Sequence, residues 1–197
     1  MAAPIQMRSA TPLELTLPSP FTNGRAAKRG FRTCARHTHL AQSAKLLQGL
    51  LMTEADLHSF MVRFKLGVLS TVAETGSPQS ALVGIAVTPS LEIIFDTVKS
   101  SRKYPNLIAR QRCSFVIGWA GEQTVQYEGE ARELSGQELR RCQDVYFRVW
   151  PDGPARLAWP GIVYFVVRPR WIRYSDFDQT PPLIREFTFG NSMQEPE

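Results

Sequence analysis

Cysteine is scarce in this chain: Cys34, Cys113 and Cys142 are an odd, widely spaced set with no C-x-x-C pair. That excludes a disulfide framework and fits a reducing, cytoplasmic compartment. Long apolar runs are missing too. No stretch approaches the roughly 18 residues of a membrane-crossing helix, and no secretory signal core is visible. A charge excess of one sign is absent from most of the chain. Of the net +5, residues 1–52 supply seven Lys/Arg (Arg8, Arg25, Lys28, Arg29, Arg32, Arg36, Lys45) against Glu14 alone. Residues 53–197 hold 16 Lys/Arg and 17 Asp/Glu, so this larger part has no nucleic-acid footprint. Cys34-x-x-His37-x-His39 lacks a fourth ligand nearby and is not read as a metal site.

Residues 1–51 show no sustained hydrophobic period and are expected to be a disordered, basic extension. Their Arg-rich, acid-poor composition resembles an organelle transit peptide. Met52-Thr53-Glu54-Ala55-Asp56 equally reads as a natural start, which makes 1–51 an upstream extension. Thr53 then opens a helix with a loose capping box, burying Leu57, Phe60, Met61 and Phe64. His58 falls on the surface of that helix. Strands are expected at 66–72, 80–87, 91–95, 113–119, 124–133, 162–167 and 171–174. Ser135 and Glu138 form a capping box for a helix that buries Leu139, Cys142, Tyr146 and Val149. Residues 178–197 read as a polar tail. The expected fold is mainly β with flanking helices, a six- to seven-stranded antiparallel barrel.

Residues 93–107 carry the most chemical information. An apolar strand runs into a short turn, and a helix is expected to open at Ser100 or Ser101, with Ser as N-cap. Arg102 and Lys103 follow, with Lys99 just upstream. Cations in a first helical turn oppose the helix dipole, at a cost of roughly 0.3–1 kcal/mol each. Free N–H groups, a Ser hydroxyl and two or three cations at one helix start suit an anion, most simply a phosphate. A solvated basic turn is the alternative.

Asp96-Thr97-(x3)-Ser101-Arg102-Lys103 resembles the Tyr-Thr-(x3)-Ser-Arg-Lys element of the pyridoxamine 5′-phosphate oxidase-like family. Tyr146-Phe147-(x3)-Pro151-(x7)-Trp159 is similar to a second element of the oxidase. The resemblance spans about 53–177 and implies a split β-barrel, usually a homodimer, that binds FMN. Thr97, Ser101, Arg102 and Lys103 would hold the cofactor phosphate. Backbone groups of Ala81, Leu82 and Val83 would edge the isoalloxazine. Ala81 and Ala86 replace a family Arg and Lys, and Trp150 and Pro154 replace the Arg and Ser that grip the oxidase's substrate phosphate. The family's C-terminal Arg-Leu-His loop has no counterpart. The resemblance therefore implies a diverged flavoprotein acting on a small, non-phosphorylated substrate, with Tyr146 and Trp150 (or Trp159) in its pocket. No catalytic acid or base stands out. The alternatives are the same barrel with F420 or haem, a non-catalytic flavin sensor or storage protein, or a tail-mediated nucleic-acid binder.

Overall fold

A computed structural model of the chain describes residues 52–190. The basic extension and the Cys34-His37-His39 group lie outside these residues. The first helix, α1 (Glu54–Met61), starts as expected. Thr53 Oγ1 accepts from the Asp56 amide (3.2 Å), and the Asp56 carboxylate accepts from the Thr53 amide (2.9 Å). The bonds this carboxylate accepts from the Thr53 amide and, at 2.7 Å, from the Thr53 hydroxyl hold it below its usual pKa. Leu57, Phe60 and Met61 are buried, and Phe64 packs against the core just past the helix end.

The strands are β1 (Leu66–Val72), β2 (Pro78–Val87), β3 (Ile93–Val98), β4 (Arg112–Ile117), β5 (Gln123–Glu133), β6 (Ile162–Asp176) and β7 (Leu183–Thr188). They lie in the order β3-β2-β1-β4-β5-β6-β7, all antiparallel, and β3 also pairs with β6. The first six therefore close into a barrel, and β7 is an added strand. Short helices join them: α2 (Lys103–Ala109), α3 (Gly136–Val149) and α4 (Gly153–Arg156). Inside the barrel, Leu69, Ile85, Ile93, Phe95, Phe115, Tyr127 and Phe165 are buried. A second apolar layer lies outside it. There Ala86, Ile94, Tyr164 and Val166 pack under α3 through Leu139, Cys142, Tyr146 and Val149. No helix among the described residues is long and apolar enough to cross a membrane.

Three local expectations are corrected. The strands expected at 162–167 and 171–174 are one continuous strand, β6. Pro169 signals a break in the sequence, but it falls at a bulge, where a missing amide is tolerated. Residues 178–197 include β7, which pairs with the far half of β6. Its side chains alternate only between exposed and half-buried, so its periodicity is weak. Ser135 makes no side-chain cap; Glu138 Oε1 accepts from Arg132 Nη2 at 2.6 Å instead. A charge-assisted bond outweighs a neutral capping contact.

The bulge has a steric requirement at Gly129. A Cβ there would collide with the Arg168 carbonyl oxygen and approach the Tyr127 ring at 2.8 Å. Gly129→Ala is expected to lower stability by about 1–3 kcal/mol. An unchanged urea-unfolding midpoint would show that the bulge relaxes freely.

Candidate functional site

The barrel opens where β2 and β3 part. Their pairing stops at Ile85↔Phe95, while β3 continues along β6 to Val98↔Ile162 and β2 continues along β1. Leu82, Val83 and Gly84 thus face Asp96, Thr97 and Val98 across a cavity of about 260 Å³. The facing backbone edges lie outside the β2–β3 ladder. Such edges offer N–H and C=O groups to a flat polar ring. Ser101, Lys103, Trp159 and Ile162 complete the lining.

One end of the cavity is polar. Thr97 Oγ1 and Ser101 Oγ are 3.0 Å apart, and Lys103 Nζ reaches Thr97 Oγ1 at 3.4 Å. The Ser101 hydroxyl therefore turns to Thr97 rather than capping a helix. Helix α2 starts at Lys103, with Arg102 at the N-cap position and no side-chain cap. Burial holds the Lys103 ammonium below the usual lysine pKa, and nearby Asp96 opposes that shift. Lys103 has no ion pair among the described residues, and neither has Arg102. Lys99, the third expected cation, instead lies 3.9 Å from Glu133.

A second cavity of about 260 Å³ adjoins the first and shares Lys103. Arg102, Thr71, Gln79 and Ala81 line it. Asn106 Nδ2 donates to Thr71 Oγ1 (3.0 Å) and Gln79 Oε1 (3.1 Å), which ties α2 to the strands beneath. Ala81, Leu82, Val83, Thr97, Ser101, Arg102 and Lys103 all line one cavity or the other. Among the described residues, no cluster of His, Cys, Asp or Glu is placed to hold a metal ion.

Tyr146 and Trp150 are placed differently from the expected substrate contacts. Tyr146 is fully buried, and its hydroxyl donates to Asp96 Oδ1 at 3.0 Å. Burial and the Asp96 carboxylate push its pKa well up. Trp150 Nε1 donates to the Ile85 carbonyl at 3.1 Å, and its ring lies on Gly84, where a Cβ would come within 2.9 Å of it. Both aromatics brace β2 and β3 from outside the cavity. Trp159 does line it, and is 53% exposed.

Sequence reasoning misses Asp96 and Arg156. Arg156 Nε lies 3.3 Å from Asp96 Oδ2, with both side chains largely buried. A signal was present: a carboxylate between buried Phe95 and Thr97 in an apolar strand requires a partner.

Residues 53–176 match the family model described as pyridoxamine 5′-phosphate oxidase. The chain belongs to the pyridoxamine 5′-phosphate oxidase-like family. No curated protein matches it. Solved structures give the same fold for this oxidase-like chain. A haem-binding protein from Mycobacterium smegmatis aligns with TM-score 0.59 and 16% identity, over 70% of this chain and 59% of that one. The chain thus spans less than two thirds of that relative's length. ChuZ of Campylobacter jejuni aligns with TM-score 0.61 and 14% identity, over 83% and 71% of the two chains. An FMN-binding, pyridoxamine 5′-phosphate oxidase-related protein from Nostoc punctiforme gives TM-score 0.54 and 12% identity, over 70% and 87%. At such identities the likeness is one of fold.

In this oxidase-like barrel, Tyr146→Phe removes a buried donor to Asp96. A loss of about 1–3 kcal/mol is expected, from an acceptor left unsatisfied. Chemical denaturation measures it, and a variant as stable as the parent would deny the bond.

Proposed function

We propose that this chain is an FMN-binding flavoprotein, an oxidoreductase for a small substrate without a phosphate. The observation that carries this reading is the group Thr97, Ser101 and Lys103 at one end of the cleft. Two hydroxyls and a half-buried ammonium converge there, with Arg102 alongside, and neither cation has a carboxylate partner among the described residues. A phosphate monoester satisfies all four groups. The β2 edge from Ala81 to Val83 then lies along the ring system. FMN, when bound, supplies the electron-transfer chemistry; the barrel supplies orientation and water exclusion. Cys113 and Cys142 are both free, which accords with a cytoplasmic setting. Burial pushes the Cys113 thiol up to about 12, which disfavours the thiolate.

The substrate side supports divergence from the oxidase. Trp150 is bonded to Ile85, Pro154 offers no charge, and Arg156 is committed to Asp96. A phosphorylated substrate would find at positions 150 and 154 neither the Arg nor the Ser with which the oxidase grips its phosphate.

The reading includes a homodimer. Leu82, Val68 and Val116 stand in register across β2, β1 and β4. Leu82 is 58% exposed and Val116 40%. Leu82 also lines the cleft, so a second copy on this face would wall the cofactor. A longer acidic cofactor such as F420 is the second reading, favoured by the adjoining cavity with Arg102 and Lys103.

Arg102→Ala and Lys103→Ala are each expected to weaken FMN binding by about 1.5–3 kcal/mol, roughly tenfold or more. Flavin titrations that match the parent in both variants would remove the phosphate site. Light scattering should give a dimer, and Val116→Arg a monomer; a monomeric parent carrying FMN would contradict the shared pocket. Pyridoxamine 5′-phosphate should be oxidised weakly or not at all. Oxygen consumption with kcat/KM above about 10⁴ M⁻¹s⁻¹ would overturn the substrate assignment.

A further inference from the structure

The stretch between α4 and β6 is tied to β3 on both sides of Thr97. At its start, Arg156 reaches Asp96, the residue before Thr97, at 3.3 Å. The two side chains are only 17% and 12% exposed. The guanidinium also lies 5.8 Å and 5.6 Å from the Tyr146 and Trp150 ring centroids. At the far end, the Lys99 amide donates to the Gly161 carbonyl at 2.8 Å. Between these ties the backbone is tightly coupled. The Trp159 amide donates to the Arg156 carbonyl (2.9 Å), and the Ile162 amide donates to the Trp159 carbonyl (3.2 Å). Trp159 is the large aromatic that this stretch presents to the cleft.

We propose that Arg156 and Asp96 are positioning residues: their buried ion pair latches residues 157–161 to β3 and so fixes Trp159 as the cleft wall beside the Thr97–Ser101 hydroxyls. The pair itself need not touch a bound cofactor. Asp96 Oδ1 accepts from Tyr146, and Oδ2 lies 3.3 Å from Arg156 Nε as an ion pair without a hydrogen bond, so the carboxylate is flanked on two sides. A pair of this kind is weak evidence for global stability, because desolvation offsets its attraction. Its consequence is local: the other polar tie of this stretch beside Thr97 is the backbone bond from the Lys99 amide to the Gly161 carbonyl.

The ligand assay below rests on the FMN reading; the exchange assay does not. Hydrogen exchange of the unliganded full chain compares the parent with Arg156→Met and Asp96→Asn. Asn keeps an acceptor for Tyr146, so the second variant breaks the same pair with less disturbance. Amides of 157–161 should exchange about tenfold faster in either variant while β1, β4 and β5 keep their protection. Unchanged protection at 157–161, or a uniform rise throughout the barrel, overturns the latch. FMN titration then asks whether the pair acts through Trp159. Asp96→Asn and Trp159→Ala should each weaken binding, and the double variant should be no worse than the worse single one. Additive losses, or tighter binding in Asp96→Asn, would show that the carboxylate acts by charge alone. If the parent binds no FMN, the cofactor reading fails and the exchange result still decides the latch.

Discussion

The site depends on where β3 spends its hydrogen bonds. It pairs with β6 along all of Ile93–Val98 but with β2 only through Ile93, Ile94 and Phe95. Closing a sheet into a barrel staggers its strands, so the two ladders of one strand can differ in length. One ladder ends early, and the cleft is the result. Phe95 and Phe165 stack with ring centroids 5.4 Å apart, holding β3 against β6 just inside the opening. The outer aromatics Tyr146 and Trp150 hold the other wall through Asp96 and Ile85. A rigid opening with backbone edges on both sides suits a flat ligand.

At this opening Arg156 meets a carboxylate, Asp96, whereas Arg102 and Lys103 are in no ion pair among the described residues. Lys65 and Arg112 are in none either, and what sets Lys103 apart is its burial in the cleft. A half-buried ammonium whose one hydrogen bond is to a hydroxyl is costly to desolvate, and the field of nearby Asp96 offsets that cost only in part. An anion in the cleft offsets the rest, and perturbed charges of this kind mark functional sites. The nearest acid, Asp96, lines the cleft as well, but its carboxylate is paired with Arg156 and bonded by Tyr146 rather than by Lys103. Trp150 and Pro154 carry no charge of their own, and the cations beside Trp150, Lys65 and Arg156, lie 5.8 Å and 5.6 Å from its ring centroid.

Most of the barrel was legible because its inner face alternates cleanly, as in β5, where Val125, Tyr127, Gly129 and Ala131 point inward. The hydroxyl and cation cluster was legible because four chemically specific residues sit within seven positions, 97–103. The illegible features are those decided by partners distant in sequence. Pro169 looked like a break until β5 supplied a bulge. β7 has too little burial to impose a period, and β6 defines it. Ser101 and Ser135 both looked like helix caps, yet Thr97 claims one hydroxyl and Arg132 takes the carboxylate meant to complete the other box. Arg156 lies in a four-residue helix with no periodicity of its own, so nothing local ties it to Asp96.

The ligand proposed for the β2–β3 cleft is a phosphate-bearing flavin. The direct measurement is the visible spectrum of the purified protein, with mass spectrometry of the ligand released on denaturation. Flavin absorbance and a released mass equal to FMN are the expected result. F420 or haem in its place, or a colourless protein that takes up no added FMN, would contradict it.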